Sequence, residues 1–143
     1  MTKSLPPEAS PGLALWRVTL RWQRQITAVL KPFDLTHVQF VLLTSAWWLT
    51  DGGGEQPSQR RLAEFAATDV MMTSQVLRTL EGKGLIERRS DPFDARSKLI
   101  SVTDAGRSLA LRAVRDVEAV DHECFARVDG QHLMNLLLTL DRT

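Results

Sequence analysis

The sequence is poor in the residues on which much protein chemistry depends. It has a single cysteine, Cys124, so neither an internal disulfide nor a cysteine-built zinc site is available. Its three histidines, His37, His122 and His132, lie far apart, without the H-x-x-x-H spacing that sets two imidazoles on one helix face. The one glycine run, Gly52-Gly53-Gly54, lacks the lysine of a phosphate-binding loop. No apolar stretch approaches the roughly 18–20 residues of a membrane span. The opening segment Met1 to Pro11 is polar and proline-rich, unlike a secretory signal. No nucleophile–base pair or cofactor motif is visible, and the lone serines and aspartates fall at caps and turns. These absences argue against an enzyme, and they predict no cofactor, no metal, no membrane and a cytoplasmic location.

What remains is an ordinary globular composition: 143 residues, 43% hydrophobic and 24% charged, enough for one domain with a proper core. Net charge is only +1, but it is unevenly spread. Residues 58–107 hold nine Lys/Arg against seven Asp/Glu, and residues 108–143 hold four against six. The middle of the chain is therefore the basic part, which suits a centre that faces phosphate.

Capping residues mark the elements. Ser10-Pro11 opens a helix over Gly12 to Leu30, and Lys31-Pro32 ends it. Thr36-His37-Val38-Gln39 is a capping box that opens an apolar helix stopped by Asp51-Gly52-Gly53-Gly54. Gln59 to Ala67 is a short helix burying Leu62, Ala63 and Ala66. After a turn at Thr68-Asp69, either of which can cap, Val70 to Gly82 is a helix with Thr73, Val76, Leu77 and Leu80 inward. Leu85 to Arg89 and Lys98 to Val102 read as strands around the turn Asp91-Pro92-Phe93-Asp94. Thr103 caps a long helix to about Val128, with Leu109, Val114, Val117, Val120, Cys124 and Phe125 apolar. The last helix presents Leu133, Leu136, Leu137 and Leu140 at i, i+3, i+4, i+7.

The predicted fold class is mainly α with a small β-hairpin. Two short helices, a tight turn and a hairpin make a winged helix-turn-helix, here with additional N- and C-terminal dimerisation helices. The domain plan is a flexible leader (1–11) and a single domain (12–143), in which 58–103 is the reading module and 12–57 and 104–143 are support. The second short helix offers Met71, Met72, Ser74, Gln75 and Arg78 outward. Gln can bond adenine and Arg guanine in the major groove, and the methionines can pack on thymine methyls.

Gln59 to Arg107 resembles the MarR family of bacterial regulators. The resemblance rests on Leu62-Ala63, Asp69 to Leu80, Lys83-Gly84-Leu85-Ile86-Glu87-Arg88, Asp91-Pro92-Phe93-Asp94-Ala95-Arg96 and Thr103-Asp104-Ala105-Gly106, and Leu35 to Phe40 is similar to the opening of the family's second helix. It implies a homodimer on double-stranded DNA, with recognition helices in successive major grooves and wings in the flanking minor grooves. Arg96 matches the wing-tip arginine, and Asp94 the acid that orients it through a charge-assisted bond. Arg88, Arg89 and Lys98 then become phosphate contacts.

The resemblance also implies regulation by a small aromatic or anionic effector, for which Trp16, His37, Trp47 and Trp48 are the candidate lining. The cysteine that some members use to sense oxidants, near the start of the first helix, is missing here. Cys124 sits on the apolar side of a later helix, where packing explains it. The expected function is a DNA-binding regulator, a repressor by family habit. The alternative is a winged-helix module that binds protein, which would need neither Arg96 nor a polar reading face.

Overall fold

The structure is a computed structural model describing residues 4–142. In chain order it comprises α1 (Pro11–Leu30), α2 (His37–Trp47), α3 (Gln59–Ala66), α4 (Val70–Gly82), β1 (Ile86–Asp91), β2 (Asp94–Val102), α5 (Asp104–Cys124) and α6 (Gly130–Asp141). Residues 1–3 of the expected leader lie outside the described residues. The rest of it is not featureless: Pro7–Ala9 forms a 3-10 turn and Pro11 already belongs to α1.

α2 is apolar on every side, and a helix of that kind is stable only inside a core. Phe40, Leu42, Leu43 and Ala46 are buried. Its hydroxyls do not go unpaired, since Thr44 and Ser45 donate back to the carbonyls of Phe40 and Val41 at 2.8 and 2.6 Å. Ile26 and Leu30 of α1, Leu62 of α3, Leu77 and Leu80 of α4, Ile86 and Ile100 of the hairpin, and Ala110 and Ala113 of α5 close around it. The Thr36–Gln39 capping box is formed in full. Beyond Trp47 the helix widens into a π turn, Trp48–Gly52, in which the Gly53 amide reaches the Trp48 carbonyl.

Three expectations need correction or refinement. α5 packs through small residues, Gly106, Ala110, Ala113 and Val117. Of the larger apolar side chains read on this helix, Val117 is buried, and Leu109, Val114 and Val120 pack against the core at its margin. The first turn of α5 approaches closest: a Cβ on Gly106 would stand 2.0 Å from the Leu85 carbonyl oxygen, so no side chain fits there. α5 also ends at Cys124, four residues before Val128, because the amides of Ala126 and Val128 turn to carbonyls three residues back. Third, the hairpin strands are longer and their connection shorter than expected. Asp91 pairs with Asp94, leaving only Pro92-Phe93 as the loop.

The start of α3 is tied to the hairpin. Ser58 bridges Leu99, and the Ile100 amide donates to the Pro57 carbonyl at 2.9 Å. α6 buries none of its residues. No single helix among the described residues is long and apolar enough to cross a membrane.

Candidate nucleic-acid interface

The helix-turn-helix is built by caps and one left-handed residue. Ser58 accepts from the Arg61 amide and starts α3. Ala67, at φ 54°, ends it by letting the Thr68 amide fold back to the Ala63 carbonyl at 2.9 Å. Asp69 then caps α4 through the Met71 amide at 2.9 Å. Thr68 does not cap; its hydroxyl lies 2.7 Å from that of the buried Thr73, which itself bonds the Asp69 carbonyl. α4 is seated by Thr73, Leu77 and Leu80, all fully buried. Its end is a Schellman turn on Gly84 (φ 75°), with the amides of Gly84 and Leu85 bonded to Glu81 and Leu80.

This seating turns Met71, Gln75 and Arg78, spaced i, i+4, i+7, outward along a stripe about 10 Å long. All three are exposed, as is Met72, and Ser74 is half-buried beside them. The wing stands next to this stripe. Ser58, Gln59, Arg60 and Val70 on one side and Asp94, Arg96, Ser97 and Lys98 on the other line a groove of about 580 Å3. Among the described residues Arg96 has no acidic partner, whereas Arg60 pairs with Glu64 at 3.3 Å on an exposed helix face.

The expected wing residues do not act as one set. Asp94 does not hold the Arg96 guanidinium: its carboxylate accepts the Arg96 backbone amide at 3.0 Å, an Asx-type turn that shapes the wing's main chain. Arg88 is not free for phosphate either. Its side chain is only 18% exposed, and its guanidinium lies 3.4 Å from Glu81 and 3.5 Å from Gln59, bracing β1 against α4 and α3. Arg89 is paired with Leu99, one step out of phase with the Ser90–Lys98 pair, so it points from the opposite face of the hairpin and bonds Gln56 at 2.6 Å. Lys98 remains exposed in the groove, within 3.2 Å of the Ser90 hydroxyl.

The family model described as "MarR family" matches residues 35–98. The HTH-type transcriptional regulator YdcH of Bacillus subtilis is 48% identical over 120 residues, covering 84% of this chain and 81% of the relative. The chain belongs to the MarR family. A second MarR relative, an HTH-type transcriptional repressor of Mycobacterium tuberculosis, is 33% identical over 87% of this chain and 86% of its own. The crystal structure of CouR from Rhodococcus jostii, bound to p-coumaroyl-CoA, superposes with a TM-score of 0.82 at 27% identity, over 96% and 93% of the two chains. MarR-family members are transcriptional regulators, not enzymes, and this chain is a winged-helix transcriptional regulator of that family.

The four effector candidates do not converge within the chain of this MarR-family protein. Trp16 is 62% exposed on the outer face of α1. His37, at the start of α2, stands edge-on to Trp22 at 5.1 Å. Trp22 in turn donates to Asp121 at 2.7 Å. Burial lowers the His37 pKa, and the Asp121 charge partly opposes it. Trp47 and Trp48 lie about 15 Å farther along α2 and, with Asp51 and Gly52, line an apolar recess of about 300 Å3. Cys124 bonds the Gln25 side chain, and burial pushes its thiol pKa up, away from reactivity.

Two features escaped the sequence reading. Arg60 and Gln59 share the wing groove because β2 pairs with Ser58, a contact no local pattern announces. The Asp51 carboxylate takes a two-pronged bond from Arg107 at 2.9 and 3.0 Å and another from the Trp47 indole at 2.8 Å. The Arg107 bonds, foremost, hold the Asp51 pKa down.

Proposed function

We propose that the protein is a cytoplasmic repressor that binds a palindromic operator as a homodimer and is released by a small aromatic or anionic effector. The observation that carries this reading is the outward stripe of α4 beside a basic wing groove. In this reading α4 enters the major groove. Gln75 bonds adenine and Arg78 guanine, Ser74 bonds either, and Met71 and Met72 pack on thymine methyls. Arg96 enters the minor groove, where it reads width and potential rather than bases. Lys98, Arg60 and, from the outer face, Arg89 contact phosphate. Asp94 and Arg88 serve by fixing the wing's shape and its angle to α4.

A second copy is supported by the apolar surface left open on α6 and the first half of α1. Leu136, Leu137, Leu138 and Leu140 are 42–75% exposed, as are Leu15 and Trp16. A two-fold protein reads a palindrome. Repression is the role named for the mycobacterial relative, and the aromatic acyl-CoA of CouR is both aromatic and anionic. Trp16, His37, Trp47 and Trp48 remain the proposed effector contacts, with the Trp47–Trp48 recess as the part formed within one chain. An effector that weakens DNA binding must itself bind the DNA-bound form less tightly.

The test is selection of bound sequences from a random duplex pool, followed by the salt dependence of the winner. Enrichment of a palindrome with half-sites about one helical turn apart is expected. Binding that enriches nothing and merely vanishes with salt would sink the reading. In the same assay Arg96→Ala should bind the selected operator about tenfold more weakly, about 1.4 kcal/mol, with an unchanged melting temperature.

A further inference from the structure

Phe93, at the apex of the wing, is 98% exposed, more than any other large hydrophobic residue of the described chain. Burying such a ring would remove a large apolar area from water, and among the described residues nothing covers it. The ring is also held in place. Pro92 fixes the backbone before it, the Phe93 amide bonds the Asp91 carboxylate at 2.9 Å, and the Asp94 carboxylate bonds the Arg96 amide at 3.0 Å. A two-residue loop closed by the first of these bonds, with the second shaping the irregular stretch of β2 just behind it, presents the ring on a narrow tip.

Its surroundings select the partner. The neighbours along the wing are charged: Asp91 and Asp94 flank the ring with their carboxylates bonded to the Phe93 and Arg96 amides, Arg96 and Lys98 line the adjoining groove, and the nearest apolar companions in sequence are Pro92 and Ala95. A lipid surface or a protein pocket calls for a broader apolar patch. One ring beside cations on a thin stalk matches a narrow slot with negative walls and an apolar, stacked floor. The DNA minor groove, about 6 Å wide, is such a slot, and aromatic side chains at its floor can wedge between base steps.

We propose that Phe93 is a wedge at the base step beneath each wing, giving the protein a preference for deformable steps at positions that α4 never touches. This rests on the DNA-binding reading above and adds a specificity-determining residue to it. Pyrimidine–purine steps unstack most easily, so TA or CA/TG is expected there.

The experiment uses the full chain, with Phe93→Ala and Phe93→Leu, in the random-duplex selection together with permanganate probing of thymines on the selected site. Wild-type sites are expected to carry a pyrimidine–purine step under each wing, with thymines there becoming reactive on binding. Phe93→Ala should keep the half-site read by α4 but lose the step preference and the reactivity, and bind about tenfold more weakly, in the range of aromatic–base stacking. Phe93→Leu should retain part of both. Identical step preference, reactivity and affinity in Phe93→Ala would overturn the wedge while leaving the operator and the DNA-binding reading intact. Wild-type protein that enriches no sequence removes both. Unchanged DNA binding with weakened self-association in Phe93→Ala would overturn the wedge and place the ring between copies instead.

Discussion

At the residue scale, the tightest constraint in the molecule is a missing side chain. Gly106 sits against the Leu85 carbonyl while its own amide is capped by the Thr103 hydroxyl at 3.0 Å, and that hydroxyl donates to the Gly84 carbonyl at 2.7 Å. The Thr103–Gly106 spacing thus joins α5, β2 and the end of α4 at one point. Gly106→Ala forces backbone apart and should destabilise by about 1–3 kcal/mol, the usual range for overpacking, read as a lower denaturant midpoint with an unchanged slope. Two titrating groups contribute to the acid side of stability. The folded pKa of His37 lies below its ordinary 6.5 because of burial, and that of Asp51 is depressed by Arg107. Both therefore contribute stability that is complete above their unfolded values and is lost as pH falls. The melting temperature should begin to drop below about pH 6.5, and drop further through the carboxylate range. His37→Gln should abolish the first decline and keep the second. A first decline that survives in His37→Gln would assign it to another group.

At the scale of elements, much of the fold is written in local chemistry. Ser10, Thr36, Asp69 and Thr103 each cap the helix whose start they mark in the sequence, because a cap bonds amides two or three residues away. The reading helix is equally legible: the 3.6-residue period of Thr73, Val76, Leu77 and Leu80 leaves only one face outward. What is not local is not legible. The Ser58–Leu99 bridge joins residues 41 apart in sequence, so Arg60 could not be placed opposite the wing. Hydrophobic periodicity found the apolar side of α5 but not its innermost residues, because Gly106, Ala110 and Ala113 carry little weight in such a pattern. The wing residues were found by their motif, but which of them point into the groove depends on strand register. In the proposed reading α4 reads bases separately from the wing, so Gln75→Ala or Arg78→Ala should relax base preference at single positions, each by about 1–3 kcal/mol. The readout is the position-specific profile of selected sites, where a uniform loss at all positions would reassign these side chains to phosphate.

At the scale of the whole molecule, the distribution of exposed apolar surface is lopsided. The hairpin, α3 and α4 close over α2, while α6 leaves its leucines open. A helix with no buried residue has little reason to persist alone, since short helices in water gain most of their stability from packing. If α6 is the seam of the proposed dimer, Leu137→Glu with Leu140→Glu should yield monomers by sedimentation and weaken operator binding far more than it weakens a single half-site. A dimer that persists in this variant would move the interface elsewhere. The proposed effector contacts follow the same logic: they are spread along α1 and α2, so in the proposed dimer a complete pocket would draw on the second copy.

The central helix is held at its two ends by polar bonds to different parts of the chain. At its start, Lys83, just past α4, reaches Gln39 at 3.1 Å as well as the backbone of Asp34. At its finish, Arg107 of α5 grips Asp51. A beam pinned twice cannot swing about either pin alone. In the proposed DNA complex the angle at which α4 is offered would then depend on both pins, and a molecule of modest size that loosens one would turn a fixed caliper into a compass.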